Sequence, residues 1–379
     1  MHIRKRGDKW VAIIEIGRDP ATGKRKQKWI TGRTRKEVEK KAVELTNQVN
    51  KDEYFEATDM TVKDYLIKWQ DLHCKPNLTY NTCVAYGKAI NNHINPNIGN
   101  VSLSKLKPMH IQSMYQKLGD KKETARYIHK ILHKAFKQAV LWQMIRSNPL
   151  DAVECPKNDK EREYVTWKKG DATKLSESDT EHILFLPCLI AAFTGMRKGE
   201  VLGLTWNNVD FENNIIHVKQ QLQYIEGKLK LCPTKTHRSN RGILVNPDLM
   251  SVLKYFKKKQ LADALYFGHE YNDSIPNLVC RWADGRPIQP FYPTHFFKPF
   301  ARSIGLPEIR FHDLRHSHIT MLIAAGVNLK IISDRAGHAS VKMTGDRYGH
   351  PDTDMQKEAA QVIEFKKNTP KKKVYRIKK

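Results

Sequence analysis

Phe311-His312-Asp313-Leu314-Arg315-His316-Ser317-His318, followed thirty residues on by Tyr348 in Thr344-Gly345-Asp346-Arg347-Tyr348, is the stretch on which the reading of this chain turns. His312 and Arg315 are three apart, so a helix puts them on one face. His312 and His316 also have the i, i+4 spacing of zinc-binding helices, but the Glu that follows the first His in H-E-x-x-H is absent. Arg315 projects beside His312, and a guanidinium there repels a dication and attracts a phosphate. The pattern favours phosphate over metal.

Working outward, Ala336-Gly337-His338 precedes Tyr348 by ten residues. Far upstream stands Thr194-Gly195-Met196-Arg197-Lys198-Gly199-Glu200-Val201-Leu202, and between them Pro233-Thr234-Lys235-Thr236-His237-Arg238-Ser239-Asn240-Arg241 reads as a basic hairpin tip. Taken singly each has an ordinary reading: Arg197 a surface cation, His338 a helix-end residue, Tyr348 a half-buried aromatic. Around them the segment from 173 onward is mixed. A helix is expected beyond Gly195, strands over 215–223 and 242–245, and mainly helices after Pro293.

The rest of the chain carries a large positive charge. Sixty-six Lys and Arg against forty Asp and Glu leave a formal net charge of +26 over 379 residues, which implies a polyanionic partner. No apolar run approaches the ~18 residues that cross a bilayer, so nucleic acid fits better than membrane. Six scattered cysteines without a Cys-x-x-Cys pair argue against a zinc ribbon or a disulfide framework and suit a reducing cytoplasm. Residues 1–33 hold ten Lys/Arg against three acids, with a strand over 9–16, a turn over 19–23 and a second strand from Gln27. Thr34, with Glu37 three residues on, forms a capping box for a helix. Residues 60–153 read as nearly all helix, with one stripe of Tyr65, Leu66 and Trp69 and another of Ala125, Ile128, Ile131, Leu132, Phe136 and Val140; Pro96, Gly99 and Pro108 are expected to break the chain between helices. Polar residues around Pro156 suggest a linker, and eight Lys/Arg follow Glu364 with no acid.

In this order, Arg197, Lys235, His312 with Arg315, His338 and Tyr348 resemble the catalytic set of the tyrosine recombinase family, in its phage and conjugative-element integrase branch. The resemblance spans the whole chain. It implies a multidomain α+β protein: a small N-terminal three-stranded sheet plus helix for arm-type DNA (1–57), an all-helical core-binding domain (58–156), a linker (157–172), and a mixed, mainly helical catalytic domain with a small antiparallel sheet and a basic tail (173–379). Glu200 matches an acidic position that supports the site without reacting. Residues read as DNA contacts are Trp10, Arg25, Lys28, Lys75, Lys88, Arg126, Lys130, Arg238 and Arg241. Ala336 stands where a Leu usually precedes Gly-His, and Gly345 interrupts the run before the tyrosine, which suggests a mobile Tyr348 segment. Lys228, Lys230 and Arg238 lie close enough to compete with Lys235 for the lysine role.

The chemistry implied is cleavage and rejoining of DNA through a phosphotyrosine, which keeps the energy of the broken diester without ATP. A phenol of ordinary pKa near 10 is ionised in roughly one molecule in a thousand at pH 7, so it needs cations and a base beside it. The family implies Arg197 and Arg315 on the non-bridging oxygens, His312 as base, His338 as a further phosphate donor and Lys235 as acid for the leaving 5′-hydroxyl. No metal and no cofactor are expected. The expected partners are double-stranded DNA with core-type and arm-type sites, clasped by the helical and catalytic domains, and three further protomers in a tetramer, with an excision factor or a host DNA-bending protein. Two other readings stay open: a type IB topoisomerase, monomeric on one duplex, and a non-catalytic DNA-binding protein on the same fold.

Overall fold

A computed structural model of the chain describes residues 2–18, 22–50, 59–157, 165–234, 239–338 and 340–348, with the side chains of Gln48 and of 346–348 left out. The chain divides into two compact units, Met1–Glu161 and Arg162–Lys379.

The first unit begins with three antiparallel strands, β1 (His2–Arg6), β2 (Lys9–Arg18) and β3 (Arg25–Gly32), backed by helix α1 (Arg35–Asn50). Residues of β2 alternate between faces, so Trp10, Ala12, Ile14 and Ile16 share the side that packs on Val38 and Ala42 of α1. The opposite face carries Trp29, 47% exposed, with the Arg6 guanidinium 5.6 Å from its ring. Thr34 caps α1 as its sequence suggests: its hydroxyl accepts from the Glu37 N–H, and the Glu37 carboxylate reaches back to the Arg33 N–H at 3.1 Å. The first strand, β1, lies in the basic start that residue patterning alone left unassigned; of the expected turn, 19–21 fall outside the described residues.

The helical part of this unit comprises α2 (Val62–Trp69), α3 (Lys75–Asn77), α4 (Tyr80–Ala89), α5 (Asn95–Ile98), α6 (Pro108–Leu118) and α7 (Lys122–Leu141). Tyr65, Leu66 and Trp69 meet Ile128, Ile131, Leu132 and Phe136 in one core, and the Tyr65 hydroxyl donates to the Ala135 carbonyl. Pro96 does not end its helix. A wide π-helical turn, Ile90–Ile94, leads straight into α5, and another, Gln70–Cys74, leads into α3 with Pro76. The widened turn makes room for a proline ring that would collide with the carbonyl four residues back in an α-helix. Pro108 opens α6, where a missing N–H costs nothing.

The second unit holds helices α8 (Lys169–Ser176), α9 (Phe185–Thr194) and α10 (Lys198–Leu202), strands β4 (Val209–Asp210), β5 (Ile215–Val218), β6 (Gln220–Ile225), β7 (Lys228–Pro233) and β8 (Arg241–Leu244), then α11 (Pro247–Phe267), α12 (Tyr292–Ser303), α13 (Asp313–Ala324), α14 (Leu329–Ala336) and α15 (Val341–Tyr348). α9 is apolar on all sides because it is buried on all sides, and Asp313–Ile319 of α13 is likewise buried throughout. Two expectations change here. Strands β7 and β8 do not form a hairpin: β7 pairs with β6, and β8 pairs with β5 in the sheet β4-β5-β8, so 234–240 connects two sheets. The segment 157–172, read as linker, ends inside the fold. Trp167 is 1% exposed, its N–H donates to the Ser317 hydroxyl at 2.9 Å, and α8 begins at Lys169. Residues 158–164 lie outside the described residues.

Gly345 does not interrupt α15, which runs through it to Tyr348. A Cβ at Gly345 would meet nothing within 4 Å. Gly345→Ala should therefore stabilise α15 by about 0.5–1 kcal/mol. Amide exchange in α15 slows several-fold if this holds; unchanged or faster exchange would show that the glycine is needed as it stands.

Candidate active site

Glu200 is the centre from which the site is built. It is 3% exposed and sits at the third position of the short helix α10, where it accepts the Arg197 N–H at 2.9 Å. Its Oε1 takes Nη1 of Arg197 at 2.7 Å, and its Oε2 takes Nη2 of Arg241 at 2.9 Å. Burial pushes the carboxyl pKa up, but Arg241 and Arg197 together carry it below its ordinary value. Arg197 has a second anchor, the Gly337 carbonyl at 2.9 Å from Nη2, and stays 38% exposed, enough to meet a phosphate. Arg241, read as a DNA contact, is an internal residue instead. Its side chain is 6% exposed, and besides Glu200 it donates to the carbonyls of Arg335 (2.7 Å) and Ser239 (3.0 Å).

Arg315 is 4% exposed and donates through Nη1 to the Gly195 carbonyl at 2.7 Å, two residues before Arg197. Gly195 ends α9 in the left-handed conformation (φ 67°), and a Cβ there would lie 2.7 Å from the His318 ring, so no other residue fits. His318 bonds the Ala192 carbonyl through Nδ1 at 2.9 Å, and its Nε2 accepts from Nε of Arg335 at 3.2 Å. Burial, then the cation of Arg335, pushes the His318 pKa down to about 4, with Arg315 acting in the same direction and the bond to Ala192 opposing. His312 is the residue before α13, on the exposed side of the site. Its pKa is lowered by desolvation and then by Arg315, with Arg197 and Arg310 adding to the effect and Asp313 opposing it. One imidazole thus feels both Arg197 and Arg315.

His338 follows Gly337, which closes α14 in the left-handed conformation (φ 65°). Its N–H bonds the Ser333 carbonyl at 3.0 Å and its ring Nδ1 lies 2.8 Å from the hydroxyl of Thr344. Helix α15 then carries the backbone to Tyr348, its last residue. The structure thereby brings Arg197, Glu200, His312, Arg315 and His338 together. Lys235 and Arg238 lie outside the described residues, as does the Tyr348 side chain. Of the competing lysines, Lys228 is exposed, and Lys230 pairs with Glu226 at 3.2 Å. Among the described residues no three His, Cys, Asp or Glu side chains form a metal-binding group.

Of the other expected DNA contacts, Trp10 packs half-buried against the α1 side of its sheet, 5.9 Å below the Arg35 guanidinium. Arg25 and Lys28 are exposed, Arg25 lying 3.6 Å from Glu15. Lys75 is exposed and paired with Asp71, and Lys88 is exposed on α4. Arg126 and Lys130 belong to a longer exposed stripe on α7 with Lys122, Lys134 and Lys137, opposite the face that carries Ile128, Leu132 and Ala135. Sequence reasoning also passed over His318, Arg335 and Thr344, although each lies within six residues of a recognised site residue. No helix among the described residues is long and apolar enough to cross a membrane.

Two outcomes follow from this geometry. Arg241→Met strips one counter-ion from buried Glu200 and should cost about 3–5 kcal/mol of stability in the second unit, as breaking a buried pair does. The salt dependence of DNA binding should not change. A stable variant whose slope of log affinity against log salt drops by about 0.9 would make Arg241 a phosphate contact after all. The second concerns acid. His318 has a folded pKa below its unfolded value, so it contributes no penalty above pH 6.5; stability falls as pH drops from there and levels off near 4. The loss is about 3 kcal/mol, and His312, also lowered, adds to it. Urea unfolding followed by exchange of α13 amides at pH 7.5 and pH 4 measures it, and equal midpoints would mean that His318 is not held neutral.

A model of the phage integrase family matches residues 163–355, and one of the SAM-like N-terminal domain of phage integrases matches 61–119. Over 366 residues the chain is 28% identical to a XerC-like tyrosine recombinase of Caldanaerobacter subterraneus subsp. tengcongensis, spanning 91% of this chain and 93% of that protein. It is also 28% identical, over 363 residues, to the ICEBs1 integrase of Bacillus subtilis, with 93% and 95% covered. Among solved structures, the Tn1549 transposon integrase in complex with a circular intermediate DNA shares the fold at a TM-score of 0.68 and 22% identity, over 80% of this chain and 99% of that one. The lambda integrase tetramer bound to a Holliday junction does so at 0.57 and 18%, over 93% and 96%. With a family model matched across half its length and two recombinase relatives aligned nearly end to end, the chain belongs to the phage integrase family of tyrosine recombinases.

Proposed function

We propose that this protein is a site-specific DNA recombinase that integrates and excises a mobile element, with Tyr348 as nucleophile. The observation that carries the reading is the convergence of Arg197, Arg315, His312 and His338, placed at the start of α10, within and just before α13 and just after α14, next to the helix that carries Tyr348. Such a set binds and activates a phosphodiester. Arg197 and Arg315 hold the two non-bridging oxygens and offset the charge that grows on them. His312, its pKa lowered by its surroundings, is neutral at pH 7 and able to take the phenol proton. The Tyr348 oxygen attacks phosphorus, the bond to the 5′-oxygen breaks, and that oxygen leaves as a hydroxyl with a proton from Lys235. A 5′-hydroxyl from the partner duplex reverses the step and restores the diester, so no net bond energy is lost.

The remaining surfaces support the same reading. The α7 stripe from Lys122 to Lys137 runs for about 22 Å along one helix face, a length that tracks a phosphate backbone. The N-terminal sheet presents Trp29 and Arg6 on its exposed face, suited to a second DNA site. The circular intermediate DNA bound by the Tn1549 integrase and the Holliday junction bound by the lambda integrase tetramer are the kinds of substrate and assembly we assign to this chain. Six unclustered cysteines support a cytoplasmic site of action.

Covalent trapping tests the assignment. The protein and Tyr348→Phe are each incubated in EDTA with DNA from the element's ends, nicked beside the cleavage point. A denaturation-resistant adduct is expected with the wild type and none with the Phe variant. An adduct that persists in the variant moves the nucleophile elsewhere, with Tyr375 next to be replaced. No adduct with either protein, on DNA that both bind, turns the reading to a non-catalytic DNA-binding protein.

A further inference from the structure

The geometry points to Thr344 as a positioning residue that sets the orientation and the proton of His338, an inference that rests on reading His338 as a phosphate donor. Thr344 is 0% exposed, and its hydroxyl lies 2.8 Å from Nδ1 of His338, itself 9% exposed. Both backbones are fixed: His338 by its bond to the Ser333 carbonyl behind the left-handed Gly337, Thr344 by its place in the middle of α15. The side-chain bond between them bears on the rotation of the imidazole and on the nitrogen that carries its proton.

The Thr344 hydroxyl bears on both, and is assigned the donor role toward Nδ1. A neutral imidazole has one donor and one acceptor nitrogen, and the hydrogen bond made by one decides the state of the other. With the Thr344 hydroxyl donating to Nδ1, the proton of His338 resides on Nε2, and that is the proton His338 gives to a phosphate oxygen. Without the hydroxyl, Nδ1 loses a partner in a site where its hydrogen bond to water is not restored, and the ring turns or changes tautomer to find one. Either change takes the Nε2 proton away from the phosphate. Thr344 stands one helical turn before Tyr348, so the helix that carries the nucleophile also orients the donor on the facing helix end.

Replacement by Val and by Ser separates this role from simple packing, because the two variants rank in opposite order. Thr344→Val keeps the shape and loses the hydroxyl; Thr344→Ser keeps the hydroxyl and loses a methyl. Single-turnover formation of the covalent protein–DNA adduct should fall on the order of tenfold to a hundredfold in Thr344→Val, as for a misplaced catalytic group, and stay within about threefold of wild type in Thr344→Ser. DNA affinity should be unchanged in both. A Val variant that matches wild type while Ser is the slower one would make Thr344 a packing residue and overturn the proposal. His338→Ala completes a double-mutant cycle: once His338 is gone, Thr344→Val should have no further effect. If His338→Ala itself forms adduct at the wild-type rate, the reading of His338 as a phosphate donor fails. If His338→Ala is slow and Thr344→Val is not, only the role of Thr344 fails.

Discussion

The second unit depends on one buried carboxylate. Glu200 accepts from two guanidinium groups and a backbone N–H, and each donor belongs to an element that the site needs in place. Arg197 opens α10, and Arg241 opens β8 directly after the segment that holds Lys235. Arg241 also grips the carbonyl of Arg335, three residues before His338. An isolated carboxylate buried to this depth would take up a proton or stay in water. Here two cations outweigh the desolvation penalty, and the ionised form becomes the native one. One negative charge thus orders several positive ones that would otherwise repel.

Arg197 and Arg315 are held in a matching way. α9 and α14 both end in a left-handed glycine, and the carbonyl of each glycine accepts an arginine from another helix: Gly195 from Arg315, Gly337 from Arg197. A helix C-terminus carries partial negative charge, so it is a natural seat for a cation. The two glycines do more than turn the chain. Side chains at these positions would press on the His318 ring and on Arg241, the groups that keep the pocket aligned.

Part of the candidate site was legible because its members are short patterns in a fixed order: Arg197, Glu200, His312, Arg315 and His338 come together, while Lys235 and the Tyr348 side chain lie outside the described residues. The helical cores were legible too: the stripe from Ala125 to Phe136 is buried as its spacing requires. Illegible features share a physical cause. α9 and α13 are surrounded by protein and show no amphipathic period, so their sequence does not say which side meets what. Arg241 carries the same charge as a phosphate-binding residue, and only its burial tells the difference. The wide turns before Pro76 and Pro96 are invisible to rules in which proline simply ends a helix. His318 and Arg335 went unnoticed because a residue that supports from behind needs no recognisable motif.

Helix α15, over its described residues, packs on both α14 and α13 and presents Gly345 to open space. Tyr348 and the Thr344 hydroxyl bonded to His338 thus ride on one element, so any displacement of α15 moves both together.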